Sequence, residues 1–412
     1  LNALTSSSVQ SLTTDGINDL TTTQVQGLSA ALLNRMSIEQ MGALATSRVL
    51  AIGTAALQAL STDQLNALSS TQVQALSSSQ LQAVTSTQLN RVDVGQLTNL
   101  SSTQVQKLSS VQLNALNSTA LQSLEDGDVA ALSSAQVQAL STGQLNNLTT
   151  SQVHALTSDQ VKSLTSAQLN ALNSVQLQSL TTPQLVSLSV DQFTALNKTQ
   201  LGCFTCNQLK ALQPQQIAQL PLTVFKDMVR KKMDCMSAQQ MASLSPEQLQ
   251  VVLKNQGQEM NRDQLQALNP LQLNQLPAAQ IQKFSPEQVR LWLPTQIAQL
   301  PDAQVMLMLK FFTPEQIQAL TPAQLSRLQV EDVTLFKPIQ LQALTTPQLN
   351  ALPPALLTGF NKNQLRELLP EQMKQLQLTQ LQALAPEQIV WLNLVQLNAL
   401  TPQQLAALTT QQ

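Results

Sequence analysis

An apolar residue recurs at every eighth position of the chain, and this period limits the possible folds more than any other feature. The step of eight holds from Leu4 to Leu300, resumes at Phe312 and runs on to Leu408. We call each eight-residue unit an octad and its recurring apolar residue the anchor. A fixed period of this kind is typical of repeat architectures, in which every unit packs on its neighbours instead of around one central core.

The other positions of the octad predict a short helix that begins with its own cap. The consensus is Leu-[Ser/Thr]-x-x-Gln-[Leu/Val]-x-Ala, as in Leu60–Ala67. Ser or Thr followed three residues later by Gln is a capping box, in which the hydroxyl accepts the N–H of the Gln and the Gln side chain accepts the N–H of the cap. Positions are named from the cap, so the Gln is N3, the second apolar residue is N4 and the variable residue after it is N5. Pro246, Pro286 and Pro322 fit the same phase, since they stand at N1, where no N–H is required.

A β-solenoid is the alternative for an eight-residue period rich in Ser and Thr. The two apolar residues of an octad are three and five positions apart, however, and odd spacings place them on opposite faces of a strand. Gln and Ala are also poor strand formers. We therefore predict an all-α fold, a solenoid of short octapeptide helices with capping-box N-termini, in which helices too short to be stable alone share an apolar interior.

The chain has two parts that differ in composition, although the eight-residue step passes from one to the other without a break. Residues 1–200, a regular solenoid rich in Ser, Thr and Gln, contain one of the 18 Pro, and residues 201–412 continue the same solenoid with octads richer in Pro, Met and Phe. A four-residue insertion near 301–311 is the break in phase, and we expect it to add one helical turn. The octads within 221–240 and 251–260 keep their anchors but lose the cap or the Gln, which predicts lengthened helices or a bend.

The low charge of the chain argues against several classes of partner. Its net charge is −2 and only 11% of its residues are charged, so nothing attracts it to nucleic acid or to an anionic membrane surface. Apolar runs are only a few residues long, so we expect no membrane insertion. No residue pattern predicts a cofactor or a metal, and no Ser, Cys or carboxylate arrangement supplies a base for catalysis, so we predict no enzymatic activity.

The cysteines and the single histidine are the first candidates for chemistry. Cys203 and Cys206 form a C-x-x-C pair, but a redox motif needs a thioredoxin-like setting and a structural zinc site needs four ligands. Buried thiols are one interpretation, and a disulfide between Cys203 and Cys206 is the alternative. His154 lies at the variable N5 position, which predicts an exposed histidine.

Three smaller features have plain structural interpretations. The acidic segment Glu125–Asp128 lacks the alternating ligands of a calcium loop, so we expect a helix start capped by carboxylates. The basic cluster Arg230–Lys232 is expected to be solvated surface, with a partner contact as the alternative. Trp292 is an anchor and is predicted to be buried, whereas Trp391 directly precedes an anchor and is compatible with core or surface.

The octads also show a resemblance to known repeat proteins. The segment Leu60–Ala75, L-S-T-D-Q-L-N-A-L-S-S-T-Q-V-Q-A, resembles the octad arrays of large secreted or surface-attached bacterial repeat proteins. The later units L-T-P-A-Q-L and L-A-P-E-Q-I are more distantly similar to the helical repeats of the mesothelin and stereocilin family. The likeness covers nearly the whole chain. It implies an extracellular scaffold, adhesive or structural, and carries over no catalytic residue.

These observations predict a non-enzymatic structural repeat protein that forms part of an extracellular or cell-surface stalk, filament or adhesin scaffold. The alternative is an intracellular or effector-like α-solenoid that binds a protein partner through residues 201–412. Leu1 falls on N4 and Thr409 opens a further cap, so the terminal octads lack polar capping units. We therefore expect either further repeats in a longer chain or end-to-end self-association.

Overall fold

The fold is all-helical, as predicted. The structure, a computed structural model, describes residues 1–412 apart from the side chain of Gln256. The described residues form α-helices and a few 3-10 helices, and they include no strand. Contacts divide the chain into two compact units, Leu1–Leu212 and Gln213–Gln412, which we call the N-terminal unit and the C-terminal unit.

The N-terminal unit is a regular series with one helix of four to six residues in each octad. Its helices are Ser6–Gln10, Thr14–Asn18, Thr22–Gln26, Ala30–Leu33, Ile38–Gly42, Thr46–Ala51, Thr54–Gln58, Thr62–Asn66, Ser70–Ala75, Ser78–Ala83, Ser86–Leu89, Val94–Thr98, Ser102–Val105, Ser110–Ala115, Ser118–Gln122, Asp126–Ala131, Ser134–Gln138, Thr142–Asn147, Thr150–Ala155, Ser158–Ser163, Ser166–Ala171, Ser174–Ser179, Thr182–Ser187, Val190–Thr194, Lys198–Cys203 and Cys206–Ala211.

The C-terminal unit continues with short helices but also contains longer ones and all of the 3-10 helices described. Its α-helices are Pro214–Ala218, Leu222–Lys232, Ala238–Ala242, Pro246–Gln256, Arg262–Gln266, Pro270–Asn274, Ala278–Ile281, Pro286–Arg290, Pro294–Ala298, Asp302–Met308, Pro314–Gln318, Pro322–Ser326, Val330–Val333, Pro338–Gln342, Thr346–Ala351, Lys362–Arg366, Pro370–Gln375, Leu378–Gln382, Pro386–Trp391, Leu394–Ala399 and Pro402–Ala407. Its 3-10 helices are Met233–Cys235, Gly257–Glu259, Leu309–Phe311 and Pro354–Gly359.

Each octad becomes a helix because its cap and its anchor both leave the helical conformation. Ser69 is extended (φ −71°, ψ 162°), and Gln72 Oε1 accepts its N–H at 2.6 Å to form the predicted capping box. The helix ends at the anchor Leu76, where ψ is 128°, so the chain is already extended for the next cap. Nowhere in the described chain does a residue have a positive φ, so these helices end without the left-handed glycine that many C-termini require.

The apolar interior consists of the anchor and N4 rows. Leu177 and Leu180 are 1% and 3% exposed, and Leu341 and Leu344 in the C-terminal unit are 0% and 4% exposed. Full burial of one such side chain stabilises the fold by about 1.5–3 kcal/mol, so the two rows supply the main apolar stabilisation of each octad. The intervening N1 and N2 positions face solvent.

Two lengthened helices confirm the prediction for the irregular octads. Leu222–Lys232 and Pro246–Gln256 each have 11 residues, and each is followed by one turn of 3-10 helix. The cap position inside each holds Val229 or Leu253, which offers no hydroxyl to end one helix and start another, so the helix runs on. No helix within the described residues is long and apolar enough to cross a membrane.

The insertion near 301–311 also appears as predicted. The helix Asp302–Met308 has seven residues and passes directly into the 3-10 helix Leu309–Phe311. The segment is therefore one turn longer than a regular octad helix.

Candidate functional site: the inter-turn ladder

The Gln at N3 makes hydrogen bonds to two helices at once. The Oε1 of Gln176 accepts the N–H of its own cap, Asn173, at 3.1 Å. Its Nε2 donates to the carbonyl oxygens of Leu145 and Leu148, at 3.0 and 2.8 Å. Those carbonyls belong to the end of the helix four octads earlier, where the carbonyls lack the usual donor four residues on; that of Leu145 also accepts the N–H of Leu148 at 3.3 Å. One buried carboxamide therefore caps the start of one helix and the end of another.

This arrangement repeats in both units with a nearly constant separation. Gln80 in the N-terminal unit and Gln380 in the C-terminal unit donate to carbonyls that lie between 28 and 31 residues earlier. Since 28 residues are three and a half octads, one turn of each stack contains about 3.5 octads. We call this row of bonds the inter-turn ladder. An unpartnered buried amide or carbonyl costs about 1–3 kcal/mol, which explains why N3 needs a side chain that both accepts and donates.

A second row of bonds starts from N5 and runs to residues later in the chain. Asn114 Nδ2 donates to the carbonyl of Ala139, 25 residues later, at 2.7 Å. The Nδ1 of His154 lies 2.9 Å from the carbonyl oxygen of Ser179, at the same separation. His154 is exposed, as predicted, but sequence reasoning missed this contact. Its N5 position was the available signal, because N5 holds Asn or Gln in most octads of the N-terminal unit.

In some octads an Asn at N5 also takes the N–H of a later cap. The Oδ1 of Asn114 accepts the N–H of Ser141, 27 residues later, at 2.7 Å. Gln144, the N3 residue of that octad, then has no donor among the described residues for its buried Oε1. We call such a residue a bridging Asn. The same set of bridging Asn, cap and N3 Gln without a donor occurs at Asn34, Ser61 and Gln64 and at Asn66, Asp93 and Gln96.

Proline at the cap position explains why two further Gln Oε1 atoms are buried without a donor. Gln280 and Gln304 follow Pro277 and Pro301, and a proline cap has no N–H for the N3 Gln to accept. In the described part of the chain the Oε1 atoms of both Gln are buried without a partner. The Nε2 of Gln304 still donates to carbonyls 31 and 28 residues earlier, so the ladder continues where the capping box is lost.

At the insertion the ladder bonds span four fewer residues and reach back one octad less than in the regular stack. Beyond it, the Nε2 of Gln316 donates to the carbonyls of Val289 and Trp292, which lie 27 and 24 residues earlier. The partner helix, Pro286–Arg290, is three octads back instead of four. The single lengthened segment therefore stands where the regular stack has two octads.

The cysteines are arranged differently from the prediction. Cys203 has a free thiol, whereas Cys206 and Cys235 are disulfide-bonded, so the alternative of a Cys203–Cys206 disulfide is wrong. Cys203 ends one helix and Cys206 begins the next, and the Sγ of Cys203 points back along its own helix to the carbonyl oxygen of Thr199, 3.1 Å away. Cys203 is half-buried and Cys206 is exposed, which differs from the interpretation of this pair as buried thiols.

The acidic segment Glu125–Asp128 is a helix start, as expected. Glu125 is the N-cap, and the Oδ2 of Asp128 accepts its N–H at 3.1 Å. Asp128 is buried at the position where other octads have Gln. Its Oδ1 accepts the hydroxyl of Ser102 at 2.9 Å, so this carboxylate keeps the capping role of the Gln but cannot donate to the ladder.

The remaining predicted features lie in the C-terminal unit. Trp292 is buried, as predicted. Its ring packs edge-on against that of Phe284, with the ring centroids 5.0 Å apart. Trp391 is half-buried, and its carbonyl accepts from Arg366 Nε at 3.1 Å. The basic cluster Arg230–Lys232 forms the last turn of its helix, where positive charge is favourable at the negative end of the helix dipole.

Four exposed glutamates at N2 have a lowered pKa. The main cause in each is hydrogen bonding to the glutamate's own backbone N–H at the helix start, and the hydroxyl of the Ser or Thr cap adds to it. The Oγ of Ser245, for example, donates to the Oε2 of Glu247 at 2.9 Å. These glutamates therefore favour the helix start when ionised. The four are Glu39, Glu247, Glu287 and Glu315.

The helical octads and their ladder define the chain as an all-α repeat protein. Residues 39–78, 121–158, 129–166 and 161–198 match the model of the ALTTAQ repeat, and all four stretches lie in the N-terminal unit. Three of them begin at the N4 position of an octad, in agreement with the octad phase. No curated protein matches the chain. The resemblances to bacterial surface repeats and to mesothelin and stereocilin stay predictions.

Proposed function

We propose that the chain is a non-enzymatic structural repeat protein and forms part of an extracellular stalk, filament or adhesin scaffold. The inter-turn ladder carries this proposal. Octad after octad, the N3 side chain is bonded to the backbone of a neighbouring turn, as at Gln152, Gln208 and Gln396. Side chains used in this way hold a continuous stack of turns together, which is the property that a scaffold requires.

The sparse charge of the surface supports a place outside the cell. Trypsin has few sites in the first 200 residues because Lys and Arg are rare there. Two of these cations are also bonded to backbone carbonyls: Arg35 Nη1 donates to Leu4 O at 2.7 Å and Arg48 Nε to Asn18 O at 3.2 Å. A surface of neutral polar side chains with few cleavage sites suits a long-lived exposed structure.

Localisation in the native cells tests this proposal. We expect an antibody raised against the chain to label intact cells, and external trypsin to remove the label only slowly. A cytosolic marker that is labelled only after permeabilisation is the control. If the chain is also labelled only after permeabilisation, the extracellular role is excluded.

A second candidate function, binding of a protein partner through residues 201–412, is favoured by exposed apolar residues of the C-terminal unit. Leu271 and Ile339 are 63% and 59% exposed, and Leu394 and Val395 are 76% and 64% exposed. Apolar side chains at N1 and N2 add nothing to the interior of the stack, and exposed apolar surface favours contact with another protein.

A matched pair of variants discriminates the two functions. One replaces Leu271, Ile339, Leu394 and Val395 with Ser or Thr, and the control replaces Val111 and Val175 of the N-terminal unit with Thr. The binding function predicts that the whole chain captures an intracellular partner and that only the first variant loses it. Absence of a captured partner, or equal loss in both variants, favours the scaffold.

A further inference from the structure

Two acceptors compete for the same cap N–H in the N-terminal unit. One is the Oε1 of the N3 Gln in the same octad, which completes the capping box. The other is the Oδ1 of a bridging Asn 27 residues earlier, which ties the cap to the neighbouring turn. A single N–H makes one good hydrogen bond, so the two arrangements exclude each other.

Both outcomes of this competition occur on nearly the same backbone. The bridging Asn holds the N–H of Ser61, whose φ and ψ are −68° and 158°. At Asn173 (φ −77°, ψ 170°) the N–H goes to Gln176 instead, although Asn146 stands 27 residues earlier. Exchange between the two arrangements therefore needs only side-chain rotation.

We call an octad bridged when its cap N–H is bonded to a bridging Asn. In each bridged octad that has Gln at N3, the Oε1 of this Gln is available to accept that N–H, and we call this atom the reserve acceptor. The Oε1 atoms of Gln64, Gln96 and Gln144 are buried and have no donor in the described chain. Each Gln nevertheless stays in place, because its Nε2 still donates to the ladder, as from Gln64 to the carbonyl of Met36 at 2.8 Å. The cap N–H of the same octad is the donor that the capping box of other octads uses.

We propose that these three octads are hydrogen-bond exchange points, at which the cap N–H passes from the bridging Asn to the N3 Gln when neighbouring turns separate. The helix then keeps its N-terminal cap while the bond between turns opens. In this way stretching would open contacts between neighbouring turns locally, while the helices stay folded. This use under tension rests on the proposed stalk function, whereas the exchange itself rests on the ladder alone.

The chain contains matched octads in which no exchange is available. Asn90 holds the N–H of Asn117 at 2.7 Å, but the N3 residue there is Ala120, which has no acceptor. Asn18 holds the N–H of Ala45 at 2.7 Å, and Arg48 at N3 donates to the ladder without accepting. Arg48 also shows that a Gln-to-Arg substitution at N3 removes the reserve acceptor and keeps the donor.

Hydrogen exchange of individual cap amides tests the proposal in the whole chain. In Asn34→Ala we expect the Ser61 amide to exchange at close to its original rate, because Gln64 takes the N–H. In Asn90→Ala the Asn117 amide has no second acceptor, and we expect it to exchange about five- to tenfold faster, as for the loss of one hydrogen bond. Gln64→Arg alone should leave Ser61 protected by Asn34, and its circular dichroism checks that the fold is kept.

The double variant Asn34→Ala/Gln64→Arg decides the outcome. The proposal predicts that Ser61 now exchanges as fast as Asn117 does in Asn90→Ala. It is overturned if Ser61 exchanges equally fast in Asn34→Ala with and without Gln64→Arg. Localisation inside the cell would remove the stalk function but not the exchange, so the two failures are distinguishable.

Discussion

Gln at N3 is the residue on which the stack depends most, because it must accept from one backbone group and donate to others. Ser, Thr and Asn fill the cap position interchangeably, and Leu293, Leu369 and Ala385 stand there without a hydroxyl. The N–H of each of these three is still accepted by a Gln Oε1, at 2.8 to 3.0 Å. A proline follows each of them at N1, where its fixed φ favours the helix start. In these octads the hydroxyl of the capping box is thus replaceable, because the Gln still accepts the cap N–H.

Gln176→Leu should therefore destabilise the chain strongly. The substitution leaves the Asn173 N–H and two C-terminal carbonyls without the carboxamide. We expect a loss of about 2–4 kcal/mol in the free energy of unfolding, measured by urea denaturation. Gln138→Ala, at an exposed N5 position, is the control and should cost less than about 0.5 kcal/mol. Equal losses in the two variants would contradict the role given to N3.

The N2 glutamates predict a weak dependence of stability on acid pH. Their folded pKa lies below the ordinary value of 4.5, so the ionised form stabilises the folded chain above about pH 4.5. This contribution is lost as the pH falls below 4.5 through the lowered folded pKa. The triple variant Glu247→Gln/Glu287→Gln/Glu315→Gln should show a flatter fall in thermal midpoint over that range than the unsubstituted chain. An unchanged slope would show that these carboxylates do not contribute.

The helices are individually too short to be stable, so each depends on the N4 and anchor side chains that it buries. Val175 and Leu177 lie two residues apart on one helix, yet Val175 is 62% exposed and Leu177 is 1% exposed. The helix therefore has one face in the interior and one in solvent, and only the first contributes to packing between octads.

Leu177→Ala and Val175→Ala should separate these two faces. We expect Leu177→Ala to reduce the free energy of unfolding by about 2–5 kcal/mol, since it opens a cavity in the apolar interior. Val175→Ala should change it by less than about 0.5 kcal/mol. Both variants are measured by denaturant unfolding. A large effect of Val175→Ala would contradict the assignment of Val175 to the solvent face of the helix.

Local patterns predicted the helices well because the caps and anchors that define them are visible within each octad. The lengthened helix Leu222–Lys232 and the extra turn of the insertion followed from missing caps and a change of phase. The number of octads in a turn did not follow, because it depends on contacts between residues about 28 positions apart. The disulfide alternative for the cysteines was wrong for the same reason. Cys203 and Cys206 are close in sequence, but their sulfur atoms are not bonded to each other.

The two units differ in how regular their octads are. The N-terminal unit holds every stretch that matches the ALTTAQ repeat, whereas the C-terminal unit holds the lengthened helices, the insertion and all the described 3-10 helices. Both units nevertheless share the ladder, so the same bond pattern tolerates regular and varied octads. This tolerance is what a scaffold built from many similar units requires.

Disulfide cross-linking across one turn tests the stacked arrangement most directly. Ser163 Oγ donates to the carbonyl of Ser134, 29 residues earlier, at 3.2 Å, so these residues lie on facing helices. In a Cys203→Ser background, we expect Ser134→Cys/Ser163→Cys to form a reducible intramolecular cross-link under mild oxidation. The control pair Ser134→Cys/Ala171→Cys is one octad out of register and should not form it. Cross-linking of the control pair at an equal rate, or of neither pair, would contradict a stack with three and a half octads in each turn.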